Sequence, residues 1–358
     1  MKKNLYVLLM AGGVGTRFWP YSRNEKPKQF LDVLGTGNTL LQSTYERFLP
    51  LCPKENIFVV TNEEHAQLTT QQLPDLKASQ ILAEPMRKNT APCIVYASKK
   101  IARINPDANI VVSPADHVIL NEREFQSTIK NCVKHAEKED ILVTLGIKPT
   151  RPETGYGYIQ YIEGKSKLKK VKTFTEKPEL KLAKKFVETG EFVWNSGIFI
   201  WNVKSILKAL ERELPEMFEL FVEAEKKFDT LQEKKATETA YMQAKSISID
   251  YGVMEKADNV YVWPSNFNWS DLGSWAALHE LSKKDKENNS VVGDTLLYDT
   301  RNTIIRGSKD KLIVVQGLNG YLVGAFGNVV IVCEKDKEEL FRQFVTDLKT
   351  KSNGGEFL

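Results

Sequence analysis

An apolar run without alternation, Leu5 to Met10, breaks at once into Gly12, Gly13 and Gly15. No other stretch constrains the fold as tightly. A strand that is apolar on both faces belongs to a parallel sheet covered by helices. The glycines that end it let the backbone approach a bulky anion and take conformations other residues resist. Arg17 follows, then Lys26 and Lys28 around Pro27, so strand, glycine turn and cations stand in succession. Backbone N–H groups and such cations make charge-assisted hydrogen bonds to phosphate. The plainer reading is a tight turn beside a basic surface. Two familiar phosphate loops are excluded. Gly15 is followed by Thr16 and Arg17 where a Walker A loop needs lysine and a hydroxyl residue, and the third glycine of a dinucleotide fingerprint falls on Phe18.

The apolar segments Ile57 to Thr61, Ile81 to Glu84, Ile110 to Ser113 and Ile141 to Leu145 continue the pattern, with helical stretches between them. One of these helices opens at Asn89-Thr90-Ala91-Pro92 and runs to about Ile104. The spacing predicts an α/β fold with a mostly parallel sheet. Composition shifts at Lys283 to Asn289, which divides the chain into 1–285 and 286–358. Beyond it, short branched-residue strands alternate with Gly, Asp and Asn turns: a small β domain, either coils of a β-helix or a barrel, with a helical tail from Glu338 to Leu348. A net charge of +4 is too small, and the cations too scattered, to argue for nucleic acid. Cys52, Cys93, Cys132 and Cys333 have no zinc spacing and read as reduced and mostly buried. The start Met1-Lys2-Lys3 superficially resembles a signal peptide. Its apolar run is too short and no stretch has membrane length, so a cytoplasmic protein without membrane association is expected.

Asp116 directly follows a strand in IVVSPADH, and Asp271 lies in NWSDLGSW. Sequence-distant acids at strand ends are a usual way of holding Mg²⁺ beside phosphates, because a hard cation prefers carboxylate oxygen. A turn or helix cap is the plainer role for Asp116. His117 invites a catalytic-base role, but a phosphate nucleophile that is already ionised needs no strong base, and a structural or orienting histidine is expected. Glu176-Lys177-Pro178 and Asn195-Ser196-Gly197 place a carboxylate, a cation and an amide beside strands. Those groups suit sugar hydroxyls and a sugar phosphate, although each could be a capped turn.

AGGVGTRFWPYS (11–22), KPKQFL (26–31), EPMRKNTAP (84–92), SPADH (113–117), TGYGYI (154–159), FTEKP (174–178), WNSGIF (194–199) and NWSDLGSW (268–275) stand in one order. That order resembles the mannose-1-phosphate guanylyltransferases among the sugar-nucleotide pyrophosphorylases. The resemblance implies a Rossmann-like catalytic domain followed by a short left-handed β-helix. It also implies Mg²⁺-dependent transfer of GMP from GTP to α-D-mannose 1-phosphate, giving GDP-mannose and pyrophosphate. By the same resemblance Gly12, Gly13, Gly15 and Thr16 wrap the nucleotide, Arg17 holds the departing pyrophosphate, and Lys28 contacts the triphosphate with Lys26 nearby. Glu84, Asn89 and Thr90 form the nucleotide-side wall, Asp116 and Asp271 bind the metal, and Gly155, Glu176, Lys177 and Asn195 face the mannose phosphate. Relatives often carry a second isomerase domain with metal-binding histidines. This chain has His65, His117, His135 and His279, and a monofunctional transferase is expected. One rival is a uridylyl- or thymidylyltransferase acting on glucose 1-phosphate. Another is a catalytically silent regulatory subunit, which would be expected to lose charged site residues that are all present here. The apolar strands from Val291 to Val332 need cover, from the catalytic domain or a second subunit, and a homodimer is expected.

Overall fold

In a computed structural model that describes residues 3–13, 15–308 and 310–358, the first apolar run forms the strand Leu5–Met10 at the middle of a parallel array. It pairs in parallel with Ile57–Asn62 on one side and Asn109–Pro114 on the other, and Ile81–Glu84 extends the array outward. Ile57–Asn62 is buried along its whole length, as an unalternated strand covered on both faces must be. The full sheet has nine strands and is mixed. Phe192–Asn202 inserts antiparallel between Asn109–Pro114 and Leu142–Ile147, and Val260–Ser265 then pairs in parallel with Leu142–Ile147. An antiparallel pair, Tyr158–Tyr161 with Lys169–Thr175, completes the edge. The first four strands are parallel, as expected of the first half of the chain, and the strands added after them make the sheet mixed. Phe192–Asn202 follows the helix Leu180–Thr189 and runs against its neighbours, a direction that an apolar run alone does not reveal.

The helix expected after Asn89 spans Thr90–Ile104, and Asn202 to Phe228 gives Val203–Glu213 and Pro215–Glu225, divided at Pro215. Gly190 ends Leu180–Thr189 in the left-handed region, at φ 69°.

The chain divides into two compact units along lines different from 1–285 and 286–358. One unit holds residues 3–12, Thr44–Ala115 and Ile119–Trp269, with the nine-stranded sheet. The other holds Gly13–Ser43, Asp116–Val118 and Ser270–Leu358. The physical reason is the second unit's core. Phe18, Trp19, Leu31 and Val33, from the segment after the glycines, pack in one cluster with Leu272, Trp275, Ile304, Leu322, Ile331 and Phe341. Trp19 Nε1 also donates to the Phe357 carbonyl at 2.7 Å. Within this unit Ser290–Val292, Ile304–Gly307 and Tyr321–Phe326 stack in parallel, as do Asp294–Tyr298 and Leu312–Gln316. Strands that recur in parallel on two faces are coils, consistent with a left-handed β-helix-like extension rather than a barrel. Antiparallel Val329–Glu334 closes the stack, and helix Glu338–Thr350 follows. All four cysteines are free; Cys52, Cys93 and Cys132 are buried. Among the described residues no helix is long and apolar enough to cross a membrane.

Candidate active site

In the second unit the chemistry gathers on Lys28. The short turn Lys28–Phe30 is buried, so this ammonium is removed from water and must be paired. Its Nζ lies 2.8 Å from Asp116 Oδ2 and donates to the backbone carbonyls of Asp271, at 2.8 Å, and Leu272, at 3.1 Å. Lys28 thus ties both aspartate segments to the glycine-loop segment. Gly15 is what lets Lys28 pack here. It sits at φ +60°, and a Cβ on it would lie 2.8 Å from Lys28 Cβ and 2.9 Å from Ser22 Oγ. Gln29 Nε2 donates to the Gly13 carbonyl at 2.9 Å and fixes the other end of the loop. Burial would push the Asp116 carboxyl up, but the charge of Lys28, then His117 and the Lys28 hydrogen bond, hold it below the ordinary aspartate value. It is an anion at neutral pH. His117 Nε2 stands 3.8 Å from Asp116 Oδ1. Asp271 Oδ1 accepts from Gly273 N at 3.0 Å. Arg17, in the turn Thr16–Phe18, is half-buried and forms no ion pair among the described residues. The side chain of Thr16 lies outside the described residues.

Lys26 is not brought to this cluster. It is exposed and lines a separate cavity of about 340 Å³ with Tyr21, Arg306 and Phe326.

In the first unit, Gly12 follows the strand Leu5–Met10 and Glu84 ends Ile81–Glu84, with one strand between the two. A Cβ on Gly12 would lie 3.3 Å from Glu84 Oε2. Glu84 is buried, its Oε1 has no hydrogen-bond partner among the described residues, and burial pushes its carboxyl up to about 7. Asn89 caps the following helix at φ 63°, ψ −165°, a conformation costly for any residue but glycine. It is held there as its Nδ2 donates to Ser246 Oγ at 2.8 Å. Thr90 Oγ1 accepts from Ile249 N at 2.8 Å.

A second cluster of the first unit gathers Glu176, Lys177 and Asn195, the residues expected to face the sugar phosphate. Lys177, at the left-handed φ of 48°, reaches back to Glu176 Oε1 at 2.7 Å. Burial works against the Lys177 charge, but the hydrogen bond and charge of Glu176 outweigh it and raise its pKa, so the ammonium persists. Asn195 is fixed by Thr144 Oγ1, which donates to its Oδ1 at 2.8 Å, and its Nδ2 donates to Asp250 Oδ1 at 2.7 Å. Gly155 N is held by Glu153 Oε1 at 3.1 Å. Sequence reasoning missed Asp250. It opens the π-helical turn Asp250–Met254, which has no apolar period to read; its one signal is an acid between apolar residues in SISIDYGV.

Among the described residues no three or more His, Cys, Asp and Glu side chains converge as a metal cage.

A profile of the nucleotidyl transferase family matches residues 6–288. The xanthan biosynthesis protein XanB of Xanthomonas campestris pv. campestris (strain B100) is 37% identical over 346 residues, 96% of this chain and 73% of that protein. A mannose-1-phosphate guanylyltransferase of Escherichia coli is 34% identical over 360 residues, 97% of this chain and 76% of its own length. A crystal structure described as a mannose-1-phosphate geranyltransferase from Thermus thermophilus superposes with a TM-score of 0.86 at 32% identity, covering 97% of this chain and 99% of the other.

Proposed function

This chain belongs to the nucleotidyl transferase family, and from that premise we propose how its residues divide the reaction of its mannose-1-phosphate guanylyltransferase relatives. The enzyme transfers GMP from GTP to α-D-mannose 1-phosphate and releases pyrophosphate. One observation carries the assignment of roles: buried Lys28 holds the Asp116 carboxylate and the Asp271 segment to the glycine loop.

A phosphate oxygen of mannose 1-phosphate attacks the α-phosphorus of GTP. The bond to the β-phosphate breaks and its electrons leave on pyrophosphate, so positioning and charge neutralisation supply most of the rate. Arg17 and the N–H groups of Gly13 and Gly15 would hold the leaving end, and Lys28 would add charge beside it. Glu84, Asn89 and Thr90 would line the nucleotide side. Lys177 would anchor the sugar phosphate, with Glu176, Asn195 and Gly155 about the sugar. The family implies a divalent cation, and the donor set suits one. Asp116 is kept ionised with Oδ2 on Lys28, and the Asp271 carboxylate would add a second hard oxygen donor, leaving places for phosphate and water as Mg²⁺ prefers. Bound there, Mg²⁺ would neutralise charge on the phosphates.

The test is a matrix of GTP, UTP, dTTP and ATP against mannose and glucose 1-phosphate. GTP with mannose 1-phosphate should give the highest kcat/KM. A preference for UTP or dTTP with glucose 1-phosphate would overturn the substrate assignment, and no pyrophosphate from any pair would mark a silent subunit.

A further inference from the structure

We propose that Asp250 is a specificity-determining residue that binds a hydroxyl of the acceptor sugar, acting with Asn195 and Glu176. The proposal rests on the reading above that Glu176, Lys177 and Asn195 face the sugar phosphate.

Three observations converge on it. Asn195 has no freedom to turn its amide: its oxygen takes hydrogen bonds from Thr144 Oγ1 at 2.8 Å and Gly197 N at 3.2 Å. Its Nδ2 therefore faces Asp250 Oδ1 at 2.7 Å, with a second amide hydrogen still to place. Glu176 has the opposite need. Lys177 takes Oε1, while Oε2 is buried with no donor among the described residues, on a side chain only 6% exposed. A buried carboxylate oxygen left without a donor is costly. The site is shaped around this oxygen, since a Cβ on Gly157 would lie 2.5 Å from it. Third, Asp250 is half-buried as a residue and stands at the start of a turn rather than deep in the core. Fixed acceptors on Glu176 and Asp250 beside a fixed donor on Asn195 match vicinal hydroxyls, each of which donates once and accepts once.

The charged surroundings support the same role. Burial first, and then the charge of Glu176, push the Asp250 carboxyl up to about 7, against the pull of Lys177 and the Asn195 hydrogen bond. The other polar neighbours are Glu255, whose Oε1 accepts from Glu176 N at 2.8 Å, and Tyr251, whose hydroxyl donates to the Glu176 carbonyl at 3.3 Å. Near neutrality Asp250 can thus donate or accept, and it becomes a pure acceptor as the pH rises.

A structural Asp250 would merely aim Asn195, and a cycle of substrate and protein changes separates the two roles. Wild type, Asp250→Asn and Asp250→Ala are compared at saturating GTP. The acceptors are mannose 1-phosphate and its 2-, 3-, 4- and 6-deoxy analogues. In wild type at least one analogue should raise KM by about tenfold or more, because a site built to bond a hydroxyl rejects the analogue lacking it. In D250A that analogue and the parent should agree within about twofold, with the KM for GTP changed by no more than that. The same deoxy penalty in D250A as in wild type would overturn the proposal, as would equal losses for GTP and the sugar phosphate. Should the variants not fold, wild type alone decides. Its deoxy penalty should grow as the pH rises through about 7, and a constant penalty would overturn the role. Wild type that fails to use mannose 1-phosphate at all refutes the parent reading and this one with it, and does so before any variant is made.

Discussion

Replacing Glu84 by glutamine should make the protein more stable at alkaline pH, and the structure sets the size of the effect. Glu84 is 6% exposed, and burial pushes its carboxyl from 4.5 to about 7. The folded protein therefore holds this proton more tightly than the unfolded chain does. The stability that proton contributes is fully present below pH 4.5 and is lost as the pH rises through about 7. At 1.36 kcal/mol per pKa unit the total is about 3 kcal/mol. Glutamine keeps the shape and carries no charge, so the E84Q variant should match wild type near pH 5 and exceed it by up to about 3 kcal/mol near pH 8.5. In a chain of this size that corresponds to roughly 5 °C in Tm. Thermal melts of both proteins in matched ionic strength, at half-unit steps of pH, measure it. A difference in Tm that stays flat across the range would show that Glu84 is ionised in the folded state, and the reasoning from burial would fail. If Glu84 lines the nucleotide side as proposed, activity should move the other way, with a raised KM for GTP.

Lys177 and Arg17 should fail differently. K177A should raise the KM for mannose 1-phosphate much more than that for GTP, while R17A should impair GTP use and lower kcat, each by roughly ten- to a hundredfold. Equal losses for both substrates in both variants would refute the division. Truncation after Glu287 should give insoluble or unstable protein, since it strips Ile304, Leu322, Ile331 and Phe341 from the cluster that buries Phe18, Trp19 and Leu31; a soluble, active product on gel filtration would refute this. If the expected homodimer forms, the paired and exposed Leu296 and Val314 are apolar positions at which it can be tested. L296D with V314D should leave monomers in sedimentation if that reading holds, and an unchanged mass would reject it.

The strands were legible because burial on both faces writes itself as an unbroken apolar run, as in Leu5–Met10 and Ile57–Asn62. The same property hid their direction. Phe192–Asn202 is as apolar as its parallel neighbours, and nothing in its residues says that it runs the other way. The candidate site was legible where a residue type is expensive without a purpose, as with Lys28 and Asp116, which the structure pairs. Their pairing was not, because Lys28 and Asp271 are 243 positions apart and contact at that range comes from the whole fold. Asp250 escaped because an isolated acid in a turn has no period and no spacing to be read.

The second unit's composition bears on how the chain is made. Its core joins Phe18, Trp19 and Leu31 to Ile331, Phe341 and Val345, which leave the ribosome much later. At usual synthesis rates the early aromatic residues wait roughly 15–60 s for those partners. Over that interval the first unit's parallel array, completed through Asn109–Pro114, can already close. Meanwhile the segment after the glycines remains unburied apolar chain. Nascent protein stalled before Val329–Glu334 should therefore be a preferred client of chaperones that bind exposed aromatic segments, and truncations that remove only Glu338–Thr350 should be cleared as fast as large ones. Activity and quality control are coupled by topology: Arg17 and Lys28 gain their framework only when these late residues arrive.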